Sequence, residues 1–456
     1  MTEAASNQYL VTLAQFASNA TLSTLSDLAR ERSRWIIADC IPVVAAGMQQ
    51  PDMKALVEKH LAKAAPGGCW VLGTGRRAAA FDAALLNGTA GTGLELDEGN
   101  LFVNGGHPGI QVVPAAVAAA QDLGSTGADL ELAVALGYEI SSRVYRSAQP
   151  RVSLHPHGTF GVMGAAIAVA KLKGFSAAQM LHVINCSATM AMASSRNAIL
   201  EGATVRNIFT GHSGYMGLMA AQLVECGFTG EADSPSQIWG RLLSDTFEPA
   251  RVVEDLGSEW LITRNYFKLH PMGRYAHSAI DALEDLLARV PGGRLDIDRV
   301  ARIEVRAYWR ATLLDEKNVR TTFASRFSIP FAMGTILFNG RSGLKSFDEA
   351  AVANPKIQAL AQLVEISEDT SFTARYPDEQ PVDLTITMRD GTVHEGHCVV
   401  TKGEPANPHK PDEVKAKFFE LGESVWSREV TRSLFEGLMQ LETVPDFRAF
   451  AQGYTL

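Results

Sequence analysis

Hydrophobic positions recur at helical spacing along most of this chain. Residues 26–47 open at a serine cap and close at a glycine, and residues 110–122, 127–147, 159–173, 176–194 and 212–226 keep the same period. Several of these segments are apolar almost all round, which predicts helices inside a bundle rather than on its surface. In GTFGVMGAAIAVAKLKG, Gly158, Gly161, Gly164 and Ala165 stand three or four residues apart. Small residues on one face let two helix backbones approach closely. The period then changes. RVARIEVRAY (299–308) alternates like a strand, and VDLTITMRDGTVHEGHCVVT (382–401) reads as a hairpin turning at Asp390-Gly391. Helical patterns at 323–339 and 355–365 lie between them. After a proline-rich connector, KGEPANPHKPD (402–412), residues 412–426 and 427–442 return to helix.

This pattern predicts a mainly α protein. A large all-helical domain would comprise residues 1–267 and 404–456, and a smaller α+β domain with a small antiparallel sheet would span 268–403. Length agrees: 456 residues exceed the roughly 250–300 that one core supports. Apolar residues make up 46% and charged residues 20%, a balance that excludes a mainly disordered chain. The net charge of −9 opposes a nucleic-acid partner, so an anionic ligand must be held by a local cationic cluster. The cysteines, Cys40, Cys69, Cys186, Cys226 and Cys398, are scattered and form no CxxC, which fits reduced thiols and a cytoplasmic location. MTEAASNQYLVTLAQF lacks the basic start and apolar run of a signal peptide. No stretch of about 18 residues is free of polar interruption, so no membrane span is expected.

Four polar islands interrupt the apolar pattern. LELDEGNLFVNGGHPGI (94–110) carries Asp97, Glu98, Asn104 and His107 in a glycine-rich loop. RVSLHPHGTFG (151–161) places His155 and His157 just before a helix, where the positive end of the helix favours an anion and a neutral imidazole. His-x-His can be a metal pair, but no HExxH or CxxC accompanies it, so no metal is expected. EGATVRNIFTGHSG (201–214) brings Arg206 and His212 to the start of another apolar helix. The fourth island, FKLHPMGRYAH (267–277), crowds Lys268, His270, Arg274 and His277 onto a bend. Clustered cations repel one another and demand an anion among them, either Asp97 or Glu98 or a carboxylate substrate. GTGRR (73–77) lacks the third glycine and the strand–helix setting of a dinucleotide fingerprint, so no NAD is expected.

Taken together and in order, LNGTAGTGLELDEGN…HPGIQVVPAAVAAA, LHPHGTFGVMGAAIAVAKLKG, VRNIFTGHSGYMGLMAA, FKLHPMGRYAHSAIDAL and FSIPFAMGTIL resemble the MmgE/PrpD family. That family includes 2-methylcitrate dehydratase, cis-aconitate decarboxylase and iminodisuccinate epimerase. The resemblance implies a helical domain with an α+β lid, a site in the cleft between them, a homodimer, and no required metal or organic cofactor. It implies roles for Asp97, His107, His155, Lys268 and His277 by their match to family motifs. Three positions depart. Arg206 stands where the decarboxylase and dehydratase members carry lysine, His270 replaces a tyrosine, and Phe331 lacks a hydroxyl. An arginine stays charged and is not an ordinary general acid or base, but it can clamp a carboxylate.

These residues point to a cofactor-independent epimerase of an iminodisuccinate-like acid, working by proton transfer α to a carboxylate. Lys268 with His107 or His155 would be the acid/base pair, and Asp97 would orient a histidine. Arg206, His270, His277 and His212 would bind a small anionic carboxylate substrate. Replacing Lys268 by alanine is expected to abolish turnover with the fold intact. The alternatives are a dehydratase or decarboxylase of citrate-like acids, and a non-catalytic carboxylate-binding protein.

Overall fold

The computed structural model describes residues 7–456; the first six residues of the N-terminal segment read for a signal peptide lie outside the described residues. Its helical part is built from α1 (Gln8–Asn19), α2 (Asp27–Gly47), α3 (Pro51–Leu61), α4 (Ala80–Ala90), α5 (Pro108–Leu123), α6 (Gly127–Arg146), α7 (Phe160–Leu172), α8 (Ala177–Thr189) and α9 (Ile208–Glu225). Local chemistry sets several starts. The Ser26, Thr126 and Ser176 side chains accept from the third backbone N–H of α2, α6 and α8, satisfying a donor that the helix itself leaves free.

Helix α7 is the centre of the bundle and packs on α5, α6, α8 and α9. Its small residues make this possible. A Cβ on Gly164 would lie 2.9 Å from Gly137 O, and one on Gly217 would lie 2.4 Å from Ala165 Cβ. One core unites Tyr9–Phe267 with Val414–Leu456, because α13 (Pro411–Glu423) and α14 (Arg428–Met439) return to pack on α2.

A second core spans Met272 to Cys398. It joins α10 (His277–Arg289), α11 (Ile329–Asn339) and α12 (Pro355–Gln362) to a four-stranded sheet. Short two-stranded ladders come earlier in the chain: β1 (Cys69–Val71) with β2 (Arg76–Ala78), and β3 (Ala148–Pro150) with β4 (Ser244–Phe247). The four-stranded sheet runs β6-β5-β7-β8, formed by β5 (Val300–Ala307), β6 (Val364–Glu368), β7 (Val382–Met388) and β8 (Val393–Cys398). β5, β7 and β8 pair antiparallel, and β6 adds a parallel edge. The hairpin turns at Gly391, which adopts φ +86. GTGRR forms the turn between β1 and β2, with Gly73 and Gly75 both left-handed.

Several boundaries differ from the periodicity, among them the start of α9 at Ile208 rather than at 212. The 323–339 pattern breaks at Ser328, whose side chain caps α11 just before Pro330. The 355–365 pattern ends early and its last residues enter β6. Helix α8 stops at Thr189 rather than at 194. The freed segment runs beside the histidine turn, with Met192 N–H bonded to Gly158 O and Arg196 N–H to Ser153 O.

Candidate active site

The loop between α4 and α5 supplies the acids. Leu94 and Leu96 bury against Val43, Ala46 and Leu421. Alternation therefore sends Glu95 and Asp97 the other way, and Glu95 holds a left-handed φ of +54 to do so. That conformation is uncommon for a residue with a side chain. Lys417 of α13 pins the loop from behind, donating to Leu96 O at 2.6 Å and to Asp39 at 2.7 Å.

Lys268 Nζ donates to Glu95 at 3.0 Å and Asp97 at 3.1 Å, fully buried. Arg206 Nη1 meets the other Glu95 oxygen at 2.6 Å. The Asp97 carboxylate is then shared with His107, whose Nδ1 lies 2.9 Å from Oδ2 and 2.7 Å from Glu98 O. Both neighbours are acceptors, so Nδ1 carries a proton. Burial alone would raise the Asp97 carboxyl, but Lys268 and His107 outweigh it and hold it well below the usual range. Glu98 lacks such a partner. Burial pushes it up to about 8 despite the hydrogen bond from Gly109 N–H.

Both ring nitrogens of His155 face N–H donors: His157 N–H lies 3.1 Å from Nδ1, and Arg206 Nε–H is directed at Nε2 at 3.4 Å. Burial, then the charges of Arg206 and Arg196, drive its pKa well below normal and keep it neutral. Desolvation thus exceeds the helix-end effect expected from sequence. Arg206 is fixed at the cavity, with Nη1 on Glu95 and Nε–H on His155. His157 is buried with both ring nitrogens unpartnered, 3.9 Å from Asp97. Asp97, His107 and His157 have metal-like spacing, yet the Lys268 ammonium beside Asp97 would oppose a cation there.

His107, His155 and Arg206 line a small cavity of about 50 Å³, together with Glu95, Arg196, Tyr266, Arg274 and Tyr275. Asp97 and Lys268 lie behind its wall. The other candidates lie outside it. His277 accepts from Arg274 at 3.1 Å and donates to Met272 O, so it buttresses an arginine. His270 faces Asp281 at 3.4 Å. His212 binds Met190 O at the end of α8. Phe331 is core, beside Phe347. The structure does not bring His270, His277 and His212 to the cavity: each ring is directed to a protein partner. Glu95, Arg196, Arg274, Tyr266 and Tyr275 were missed as site residues. The L-E-L-D alternation signalled Glu95, and Arg274 sat in the cationic island. Nothing local marked Arg196 or the tyrosines.

Two family descriptions match the chain, the MmgE/PrpD N-terminal domain over residues 11–248 and the MmgE/PrpD C-terminal domain over 270–439. The protein belongs to the MmgE/PrpD family. Among characterised relatives, a cis-aconitate decarboxylase of Aspergillus terreus is 22% identical over 386 residues, covering 79% of this chain and 78% of that protein. A cis-aconitate decarboxylase-like protein of Aspergillus oryzae is 25% identical over 452 residues, 91% of each chain.

Proposed function

We propose that this protein is an enzyme that generates an enolate-like anion on a small polycarboxylate. One observation carries the reading: the His107 imidazole shares a cavity with the fixed guanidinium of Arg206 and with His155. His107 Nε2 would take or return the proton on the carbon α to a carboxylate. The electron pair left on that carbon would spread onto the carboxylate, whose charge the Arg206 guanidinium offsets. Preorganised donors of this kind usually contribute the largest part of such catalysis. Lys268 holds Glu95 and Asp97 in place, and the 268–403 segment acts as a lid over the helical body.

Two fates of the anion give two reactions. In the first, the anion expels a β-hydroxyl that leaves as water with a proton from a phenol lining the cavity, or the anion is itself formed when a C–C bond breaks and carbon dioxide leaves, and it then takes a proton; the names of the relatives favour this lyase outcome. In the second, a proton returns to the opposite face, supplied by a phenol lining the cavity, and the acid is epimerised. Placement of Arg206 where the lyases resembled here carry a lysine, with Lys268 hidden behind the wall, favours epimerisation. Side chains alone carry the steps as written.

Proton NMR in D₂O with cis-aconitate, 2-methylcitrate and iminodisuccinate offered separately tests the reading. Loss of carbon dioxide or water identifies the lyase. Deuterium entering the α position of iminodisuccinate, with stereoisomers interconverting, identifies the epimerase. No change in any of the three acids counts against the reading for this substrate class.

A further inference from the structure

A second pocket, of about 400 Å³, lies between the two cores, apart from the cavity that holds His107. The helical body supplies Gln50 at the α2–α3 junction and Ser424 after α13; the α+β part supplies Thr322, Arg326 and Lys345. Arg326 is the telling member. It is only 4% exposed, yet no carboxylate pairs with it among the described residues. Nη1 donates to Gly93 O at 3.0 Å, and Nε is buried with no partner. A guanidinium kept out of water with half its fork unused is costly unless an anion completes it.

The other deeply buried arginines differ. Arg143, Arg206 and Arg274 each hold a carboxylate, on Glu139, Glu95 and Glu404, at 2.6 or 2.7 Å. For Arg326, burial pulls the pKa down to about 10, opposed only by the more distant charge of Glu95. The acids lining the pocket do not serve it. Asp348 caps the turn at Glu349–Val352, accepting from Ala351 N–H at 2.8 Å, and Glu349 is exposed to water. Lys345 is exposed as well and makes no salt bridge among the described residues. Thr322 and Gln50 add a hydroxyl and an amide.

We propose that this pocket binds a small phosphate dianion, free or as the ester of a small molecule, held by Arg326 and Lys345 from the α+β side and by Gln50 from the body. The Nε and Nη2 donors of an arginine run parallel and match two oxygens of one anion. A second cation suits a dianion better than a monocarboxylate. Nη1 of the same guanidinium holds Gly93 O, two residues before Glu95. The bound anion therefore ties the α+β part to the loop that carries the acids. None of Arg326, Lys345 and Gln50 lines the His107 cavity, so this ligand is distinct from the molecule that reacts there.

Isothermal titration calorimetry with inorganic phosphate and, separately, glycerol 3-phosphate tests it. Wild type is expected to bind at least one of them, and the tighter of the two tells whether the free ion or an ester is preferred. Arg326→Gln should weaken that binding roughly 10- to 100-fold. Lys345→Glu, a change at an exposed side chain, should weaken it roughly 5- to 20-fold. Lys356→Gln removes another exposed lysine of the α+β part, one that already faces Asp298, and should keep wild-type affinity. So should Arg206→Gln, in the reaction cavity. Failure of wild type to bind either phosphate overturns the proposal. Wild-type affinity in Lys345→Glu overturns it too, as does an equal loss in Lys356→Gln. If Arg326→Gln does not fold, Lys345→Glu against Lys356→Gln decides.

Discussion

Lys268 touches two carboxylates and does not itself line the cavity. Removing it strands Glu95 and Asp97 without their shared cation. Breaking a buried pair from one side costs about 3–5 kcal/mol. Lys268→Ala is therefore expected to lower the unfolding free energy by that order as well as to suppress turnover, contrary to the intact fold expected from sequence. Urea denaturation reads it, and a wild-type midpoint would restore Lys268 to a purely chemical role. His107 is the complementary case, since its ring faces the cavity. His107→Asn should cost about 10²–10⁴-fold in kcat and little in stability. Activity near wild type in that variant would remove His107 from the proton path.

At the scale of elements, the bundle depends on how closely α6 and α7 approach. A Cβ on Gly137 would lie 2.4 Å from Gly164 O and 3.1 Å from Ala168 Cβ. Backbone cannot yield as a flexible side chain can, so the helices would have to separate. Gly137→Ala should destabilise by about 1–3 kcal/mol, the usual cost of overpacking, despite alanine's better helix propensity. A variant as stable as wild type in urea would show that this contact has slack. Helix α13 acts over a longer range. Through Lys417 it fixes Leu96 O, and so a residue far along the sequence sets the direction of Glu95 and Asp97.

The whole molecule carries a pH dependence written by the same loop. Glu98 keeps its proton up to about 8 when folded, against an ordinary value of 4.5. Between those values the folded state holds a proton that the unfolded chain has lost, so stability falls as pH rises through that window. Asp97 has the opposite sign. Its folded carboxyl is depressed, so its contribution is complete above its ordinary value of 3.8 and is lost in acid. Glu98→Gln should flatten the decline between pH 5 and 8 while leaving the acid limb in place. Denaturation series at several pH values check it, and parallel wild-type and variant curves would reject the assignment. Access is the other property of the whole. A cavity of about 50 Å³ has room for a few waters, so admitting a polycarboxylate requires its walls to move apart. Segments from both cores form its walls, and among the described residues no helix is long and apolar enough to cross a membrane.

Periodicity and small-residue spacing determined the helices, because burial inside a bundle demands apolar faces and close approach demands glycine. The same arithmetic located the hairpin at Asp390-Gly391 and the strand at 300–307. Element ends such as Thr189 and Ser328 were less legible, since capping and partner segments set them. Polar islands between apolar runs exposed His107, His155, Arg206 and Asp97, because titratable groups in a buried loop need a reason to be there. Sequence could not tell which cations face a cavity and which face an acid. Lys268, His270 and His277 share one bend with Arg274, and only Arg274 reaches the wall. That division depends on contacts across more than a hundred residues, such as Lys268 with Glu95 and Arg274 with Glu404. Such contacts leave no local pattern, so only the tertiary structure decided them.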